Sequence, residues 1–347
     1  MDRAGYTHFA VATVATLWFL MTARDVLQPL IVAVFLWFLL NAAARAYVRL
    51  FARVGTLQLG HAKLLSAVTI LGVLLVVGTL VSRSAAQFAD QLPVYEATLD
   101  RKIGAFFSSI GMEQQLGIGD LLGRIEIAPA ALSALGSAAN TVAVLIVVLV
   151  YMVFINAEVR MASSKLASLV PDAGRRDRVI AIAEEVVSEI EAYFGLKVLL
   201  GIIQAVPTYA VLAIVGVDAP IFWAVLIFLF SFVPTIGTLA GIVFPALMAI
   251  LQFETLTPFF VVAGVLVPVQ LMASNYLEPL LMGTSLNISA LVVMIGIFAG
   301  GAVWGIVGAL IIVPVLAVII IIAARVPSLR PVAVILSADG KPDAGIG

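Results

Sequence analysis

The sequence predicts an all-α fold, a polytopic α-helical membrane protein with about eight spans and broken or re-entrant helices in its C-terminal third. Composition is the first reason, because 63% of the 347 residues are hydrophobic and only 11% are charged. Soluble domains carry about a quarter charged residues. Long runs contain no charge at all, and proline and glycine concentrate in residues 219–324.

The runs without Asp, Glu, Lys, Arg or His are long enough to form membrane helices. A bilayer core about 30 Å thick is crossed by roughly 20 apolar residues in a helix, the open-chain structure that satisfies its own backbone. Two runs, 219–253 and 279–324, exceed one span, so each is expected to be a hairpin, a broken helix or more than one crossing. The runs are 9–23, 26–44, 64–82, 127–157, 198–217, 219–253, 255–277 and 279–324.

Basic residues set the predicted topology. The segment between the second and third runs holds Arg45, Arg49, Arg53 and Lys63 without an acid, so the positive-inside rule places it in the cytoplasm. Counting spans from that point puts the N-terminus in the cytoplasm, and Arg325, Arg330 and Lys341 place the C-terminal tail there, which requires an odd number of crossings after Asp218. Three crossings after Asp218 give the preferred total, and five half-length segments there are the alternative. The expected location is an inner, cytoplasmic-type membrane.

Two segments outside the predicted spans carry an apolar stripe at helical spacing. Each stripe is expected to pack on the protein's own membrane helices, and contact with the membrane surface or with another subunit is the alternative. The stripes are Phe88, Leu92, Tyr95, Leu99, Ile103 and Phe106 outside, and Val179, Ile182, Val186, Ile190 and Phe194 in the cytoplasm. The predicted segments are 1–82 (first three transmembrane helices), 83–137 (extracytoplasmic helical segment), 138–157 (fourth transmembrane helix), 158–197 (cytoplasmic amphipathic helical segment), 198–324 (C-terminal transmembrane bundle with broken helices) and 325–347 (cytoplasmic tail).

Several function classes find no support in the sequence. Without cysteine there is no disulfide, thiolate nucleophile or cysteine-bound metal. His8 and His61 are too remote from each other to suggest a metal pair, and neither a phosphate-binding loop nor a nucleophile elbow occurs. The net charge of −1 gives no sign of nucleic acid as a partner. We expect no enzyme activity, no cofactor and no metal, and transport that is secondary or passive.

Helix breakers gather in the last third of the chain. Proline blocks the hydrogen bond to the carbonyl four residues back, so helices kink or break there. Broken backbone at membrane depth survives when it is packed in protein or borders a wet cavity, as at transport sites. Tolerance of Gly and Pro for ordinary helix packing is the alternative. The breakers taken as transport-pathway candidates are Pro234, Gly237, Gly241, Pro279, Gly283, Gly301, Gly305 and Gly308.

A short internal similarity lies in this region. Residues 237–243 read GTLAGIV and residues 301–307 read GAVWGIV, each with two small residues four apart that let helices approach closely. Paired interrupted segments are typical of transporters built from structural repeats. A chance match in apolar sequence is the alternative.

Glu278 is the charged residue that lies between two long uncharged runs, whereas Asp218 and Glu254 sit at predicted span ends, where solvation explains them. An intramembrane carboxylate costs on the order of a few kcal/mol unless it is paired or hydrated, so Glu278 is a functional candidate. The alternative is an interfacial break in which Glu278 caps a helix. Other polar residues in the spans favour interhelical hydrogen bonds over ligand binding; they are Asn140, Gln204, Gln270 and Asn287.

Three motifs occur in order along residues 219–319: P-x-I-G from Pro234, N-x-x-x-P-x-x-x-G from Asn275, and G-G-x-x-W-G-x-x-G from Gly300. With them the chain resembles the bacterial autoinducer-2 exporter family of permeases. The resemblance implies an eight-span permease of the bacterial inner membrane that exports autoinducer-2 or another small organic solute. It also implies a homo-oligomer, in the family a pentamer, with an elevator-like moving part. Some relatives are linked to sodium/proton exchange.

By matching positions the resemblance extends the set of site residues. The motif residues are Pro234, Gly237, Asn275, Glu278, Pro279, Gly283, Gly301, Trp304, Gly305 and Gly308. Relatives often carry basic residues where this chain has Leu280 and Thr284. Glu278 is therefore expected to lack its nearest cationic partners.

Three functions follow from the sequence. The first is a permease of the autoinducer-2 exporter type, whose partners are a small-molecule solute and the lipid bilayer. The second is a sodium/proton antiporter that uses Glu278. The third is a non-transporting membrane scaffold that acts through residues 83–126 and 158–197.

Overall fold

The computed structural model describes residues 15–16, 18–52, 58–109, 138–233, 236–282 and 288–340. Regular structure in these residues is helical, and the β-type contact among them is an isolated bridge between Ile288 and Ser337. The predicted all-α class is thereby confirmed.

The helices differ widely in length. A π-helical turn, Ala273–Leu277, joins α7 to α8, because Pro279 has no N–H to donate to the carbonyl of Asn275. A 3₁₀ turn, Pro327–Leu329, joins α9 to α10. In chain order the described helices are α1 (Arg24–Phe51), α2 (Leu59–Ser109), α3 (Ala138–Leu169), α4 (Ala173–Val215), α5 (Pro220–Phe230), α6 (Ile236–Gln252), α7 (Thr257–Met272), α8 (Glu278–Met282), α9 (Ala290–Arg325) and α10 (Arg330–Leu336).

Six stretches of the described helices are long and apolar enough to cross a membrane, and shorter apolar helices lie between them. This confirms a polytopic membrane protein. The number of crossings and their sidedness stay predictions. The six stretches are Arg24–Phe51, Leu59–Ser84, Ala143–Ala162, Ala173–Val215, Thr257–Leu281 and Val307–Arg325.

Three predicted segment boundaries fall inside continuous helices. The boundary at 82/83 lies in α2, that at 157/158 in α3 and that at 197/198 in α4. No proline lies near these points, and each residue added to an existing helix gains a backbone hydrogen bond. The spans therefore continue as helix into the segments predicted to lie outside the bilayer.

The buried members of the two apolar stripes pack on the protein's own helices, whereas Val179 is exposed. Ile190 and Phe194 are buried, and the Phe194 ring lies 5.0 Å from that of Phe35 and is stacked at 6.0 Å on that of Phe38. Tyr95 of the other stripe is buried in a core cluster with residues of α4 to α7. These contacts agree with the expected packing on the membrane helices.

The chain forms two compact units. Unit 1 comprises Met1–Thr69, Ala143–Lys197 and Glu278–Gly347, and unit 2 comprises Ile70–Val142 and Val198–Leu277. The core cluster of unit 2 is apolar apart from one phenol and one indole. It consists of Tyr95, Val211, Leu212, Val217, Trp223, Met248, Ala249, Val262 and Leu266.

Candidate functional site

In unit 2, α5 and α6 form a helical hairpin, hereafter hairpin A. The turn follows Phe230, and the arms touch at glycine. A Cβ on Gly237 would lie 2.0 Å from the Phe230 carbonyl oxygen, and one on Gly241 would lie 3.3 Å from the Ile227 side chain. The contact between Gly237 and Phe230 lies at the turn, and the contact between Gly241 and Ile227 lies further from it. The two arms therefore run antiparallel. The run 219–253 is thus broken, as its length predicts.

In unit 1, α9 is itself a hairpin, hereafter hairpin B. Its backbone leaves the helical region at Trp304 (φ −129°, ψ 16°) and Gly305 (φ 65°, ψ −149°). The positive φ at Gly305 is a conformation that residues with a Cβ rarely adopt. A Cβ on Gly300 would lie 2.6 Å from the Gly308 carbonyl oxygen, and one on Gly296 would lie 3.3 Å from Ile312. The run 279–324 is therefore also broken.

The two GxxxG-like segments occupy different places in the two hairpins. In hairpin A, Gly237 and Gly241 both lie in the second arm, after the turn. In hairpin B, Gly301 precedes the turn and Gly305 forms it. A Cβ on Gly301 would make only an ordinary 3.8 Å contact with Ala309. The sequence similarity does not reflect equivalent positions, so close packing in hairpin B belongs to the Gly300–Gly308 pair.

The turn of hairpin B is bound by the N-terminal part of the chain. Trp304 Nε1 donates to the Leu20 carbonyl at 2.9 Å, and Gln28 Nε2 donates to the Trp304 carbonyl at 3.2 Å. Leu20 lies just before the turn at Ala23 that precedes α1. Trp304 is thereby fixed by both its indole and its backbone.

Glu278 forms an ion pair, which corrects the expectation that it lacks a cationic partner. Lys197 Nζ donates to Glu278 Oε1 at 2.5 Å, and the two side chains are 3% and 20% exposed. Tyr193, one turn before Lys197, is fully buried and close enough to interact electrostatically with this carboxylate. Sequence reasoning assigned Lys197 to the cytoplasmic segment. One feature of the sequence could have identified Lys197 as a candidate partner: it is the last charged residue before a long uncharged run.

The other predicted site residues are distributed over both units. Asn275 lies in the π turn and Pro279 lies just after it, in α8; both are exposed. Pro234 and Gly283 lie outside the described residues. The structure brings some of the remaining candidates together: Gly301, Trp304, Gly305 and Gly308 in hairpin B, and Gly237 and Gly241 in hairpin A.

Gln270 in α7 does not form the interhelical hydrogen bond that the sequence favours. Its side chain is fully buried, and neither Oε1 nor Nε2 has a partner in the described part of the chain. The amide lies against Gly241, where a Cβ would come within 2.9 Å of Nε2. Burying an unpaired amide costs about 1–3 kcal/mol. A group retained at this cost calls for an explanation.

Ion pairs join three segments at one end of unit 1. Arg325 at the end of α9 contacts Glu185 at 2.9 Å and also Glu189, and Arg45 of α1 contacts Glu191. The positive-inside rule assigns all three segments to the cytoplasm. The ion pairs require them to share one side of the membrane, whichever side that is.

A polar cluster lies at the end of unit 2 near the α4–α5 loop. Tyr95 Oη lies 2.6 Å from both Asp218 Oδ2 and Gln91 Oε1, and its single proton is donated to the Asp218 carboxylate. Gln252 accepts from the Asp218 backbone N–H at 2.7 Å and donates to the Gly216 carbonyl at 2.8 Å. Burial first, and the hydrogen bond to Asp218 second, raise the pKa of Tyr95 above its ordinary value. Asp218, partly buried in the α4–α5 loop, is therefore also bound by protein groups, which the sequence did not predict.

The neighbouring turn of α2 caps α6. Lys102 Nζ donates to the carbonyls of Ile250 and Phe253 at 2.5 Å, satisfying groups that the end of the helix leaves free. Arg101 forms a 2.6 Å ion pair with the exposed Glu254. Among the described residues, no group of three or more His, Asp or Glu side chains is placed to hold a metal ion.

Membrane-length apolar helices and two hairpins broken within apolar runs define a multi-pass helical membrane protein and are typical of membrane transporters. The chain belongs to the AI-2E family of transporters, which it matches over residues 8–328. The resemblance noted from the motifs is thus confirmed, and the chain is a membrane permease by family.

Individual relatives agree. The chain is 28% identical over 303 residues to "Putative transport protein YhhT" of Escherichia coli K12, a match that covers 85% of this chain and 83% of that protein. It is 31% identical over 160 residues to a Borreliella burgdorferi protein named "Putative transport protein", a match that covers 46% of this chain and 44% of that protein. It is 28% identical over 158 residues to "AI-2 transport protein TqsA" of Escherichia coli K12, 46% of each chain.

Proposed function

We propose that this permease exports autoinducer-2 or a closely similar small organic solute across the bacterial inner membrane, by secondary or passive transport. The name of the TqsA relative supports the solute. The lack of a phosphate-binding loop in the sequence favours transport without ATP hydrolysis.

The observation that carries the proposal is the pair of hairpins broken inside apolar runs. A helix that only anchors a protein gains nothing from ending within the bilayer, because freed backbone groups there need protein or water as partners. In hairpin B the break is built from glycine, with positive φ at Gly305 and backbone contact between Gly300 and Gly308. Such breaks are the usual place for a solute site in transporters.

Release of autoinducer-2 from vesicles containing the purified protein tests the proposal. Wild-type protein is expected to release loaded autoinducer-2 faster than protein-free vesicles do. Gly308→Ala is expected to abolish the difference, because its Cβ would lie 2.1 Å from the Gly300 carbonyl oxygen. Gly264→Ala in α7, where a Cβ meets nothing within 4 Å, is the control and should behave as wild type.

Equal retention by wild-type and protein-free vesicles would remove autoinducer-2 export. The same comparison across an untargeted mixture of solutes would then separate a permease for another solute from the non-transporting scaffold, which moves none.

Sodium/proton antiport is the second candidate, and the Lys197–Glu278 pair is the observation that favours it. A carboxylate paired with an amine in an apolar helix bundle is a place where a cation can exchange for a proton. Glu278→Gln removes the charge that such exchange needs. Sodium-driven proton movement that persists unchanged in Glu278→Gln vesicles would exclude this mechanism.

A further inference from the structure

Basic side chains without acidic partners lie at the end of unit 1 where α1 and α2 are joined. Arg49 is exposed in the last turn of α1, and Lys63 is partly buried near the start of α2. Neither side chain has an ion pair or a hydrogen bond within the part of the chain that the structure describes. The sequence holds no Asp or Glu from residue 26 to residue 89, and the nearby Glu191 is already paired with Arg45. This end of the unit therefore carries two uncompensated positive charges.

Large apolar side chains flank both charges and are left uncovered. Leu50 and Phe51, which follow Arg49, are 68% and 40% exposed. Leu64 and Leu65, which follow Lys63, are exposed as well. Charged and apolar groups thus form one surface, hereafter the basic end. It consists of Arg49, Leu50, Phe51, Lys63, Leu64 and Leu65.

The basic end lies where the membrane meets water. Arg24–Phe51 and Leu59–Ser84 are each long and apolar enough to cross a bilayer, and only residues 52–58 separate them. The Tyr47 hydroxyl lies 3.1 Å from Thr69 Oγ1, so α1 and α2 are side by side near this end. Membrane-length helices joined by so short a connection end at the level of the lipid headgroups.

A phospholipid with an anionic headgroup suits both features of this surface. Its phosphate accepts hydrogen bonds from guanidinium and ammonium groups, and its acyl chains cover exposed leucine and phenylalanine. Lys and Arg clustered beside membrane helices attract anionic lipid in this way. A symmetric contact with the same surface of a second copy of the chain would instead place like charges together.

We infer that the basic end binds anionic phospholipid. Arg49 and Lys63 contact the headgroup phosphates, and the exposed apolar side chains beside them contact the acyl chains.

Lipid contact can be measured at this surface because the natural chain has no cysteine. A bimane label is attached to a single cysteine at Val68, which is 63% exposed and lies one turn beyond Leu64. Phosphatidylglycerol and phosphatidylcholine with brominated acyl chains are then compared as quenchers in phosphatidylcholine vesicles. Phosphatidylglycerol should associate about thirtyfold more strongly, which corresponds to about 1 kcal/mol for each of two basic residues. A label at the exposed Val153 should be quenched equally by both lipids.

Arg49→Gln combined with Lys63→Gln should bring the ratio of the two association constants close to one. The melting temperature in phosphatidylcholine vesicles should stay at the wild-type value, because neither side chain has an ion pair to lose. Arg175→Gln combined with Arg178→Gln is the matched control. It removes two exposed arginines of α4 that have acidic neighbours in the sequence, and it should keep the wild-type ratio.

Ionic strength provides a test that needs no substitution in the basic end. At about 1 M salt, where exposed charges are screened beyond about 3 Å, the wild-type ratio should fall towards one.

A wild-type ratio close to one at low salt would overturn lipid binding at the basic end. A preference for phosphatidylglycerol that persists in the Arg49→Gln, Lys63→Gln variant would overturn the role of these two residues. Quenching of position 68 by neither lipid, together with disulfide cross-links between chains through this cysteine, would show that a second copy covers the surface, and lipid binding would again be overturned. Solute release enters none of these measurements, so they hold even if the proposed function fails.

Discussion

At the scale of single residues, two pairs of buried or partly buried polar groups decide how their members behave. Lys197 and Glu278 neutralise each other inside unit 1, which makes a carboxylate tolerable in an apolar environment. Tyr95 and Asp218 form a neutral-to-charged hydrogen bond in unit 2. Such bonds lose their strength when one partner changes its protonation state.

Removal of Lys197 should destabilise the protein. The substitution Lys197→Met leaves the Glu278 carboxylate, 20% exposed, without its cation, and a buried unpaired charge costs about 3 kcal/mol. Adding Glu278→Gln to this variant should recover part of the loss. Unfolding in detergent micelles measures both variants. A double variant that is less stable than Lys197→Met would show that the two residues are not coupled in this way.

The stability that Tyr95 provides should depend on pH. Its pKa is raised in the folded protein, so the contribution is full below the ordinary tyrosine value of 10.0 and is lost as pH rises through the higher folded value. Tyr95→Phe should therefore be less stable than the wild type by about 1 kcal/mol near neutral pH. The difference in unfolding free energy should shrink above about pH 10. A constant difference up to strongly alkaline pH would contradict the assignment.

At the scale of elements, both hairpins depend on glycine where one arm meets the other. In hairpin B, the backbones of Gly300 and Gly308 are in close contact, whereas a Cβ on Gly301 would make only an ordinary van der Waals contact. Length and Gly/Pro content predict that a break exists. The position of the turn is set by contacts between arms, which are not visible along the sequence.

A Cβ added where the two arms of hairpin B meet should destabilise the hairpin. The loss of stability should be larger when the added atom lies closer to the opposite arm. Gly308→Ala would bring a Cβ to 2.1 Å from a carbonyl oxygen, so the backbone must move at a cost of about 1–3 kcal/mol or more. Gly301→Ala should cost less than about 0.5 kcal/mol, the range of ordinary surface changes. Equal unfolding free energies for the two variants would argue against the close crossing.

At the scale of the whole molecule, the helices are apolar along most of their length, and charged residues of α1, α4 and α9 are in contact in unit 1. Arg45, Arg325 and the acids of α4 must lie on one side of the membrane, because they are in contact. The sequence predicts that this side is the cytoplasm.

The natural absence of cysteine makes sidedness directly measurable. Single cysteines at the exposed positions Ser168 and Ser328 should react with a membrane-impermeant maleimide only after cells are opened. A cysteine at the exposed Ala97 should react in intact cells. If cysteines at positions 168 and 328 reacted from opposite sides of the membrane, the two segments would not share one side. If both reacted in intact cells, the orientation would be the reverse of the predicted one.

The sequence predicted the class, the long spans and the broken runs, since these depend on composition and on the length of uncharged stretches. It did not predict the partner of Glu278, because Lys197 lies 81 positions away and meets it only through helix packing. It also did not predict that Gln270 lacks a hydrogen bond, because satisfaction of a buried group depends on its three-dimensional neighbours. For the same reason it did not predict that the close contact between the arms of hairpin B joins Gly300 and Gly308.

The proposed function requires the broken backbone of hairpin B to border a water-filled route through the membrane. The most direct test is the reaction rate of a hydrophilic, impermeant thiol reagent with a single cysteine at Ala302, an exposed position beside the turn. Val153, exposed on the unbroken span Ala143–Ala162, provides the lipid-facing control. We predict rapid reaction at position 302 and none at 153. Equal lack of reaction at both positions would contradict the claim.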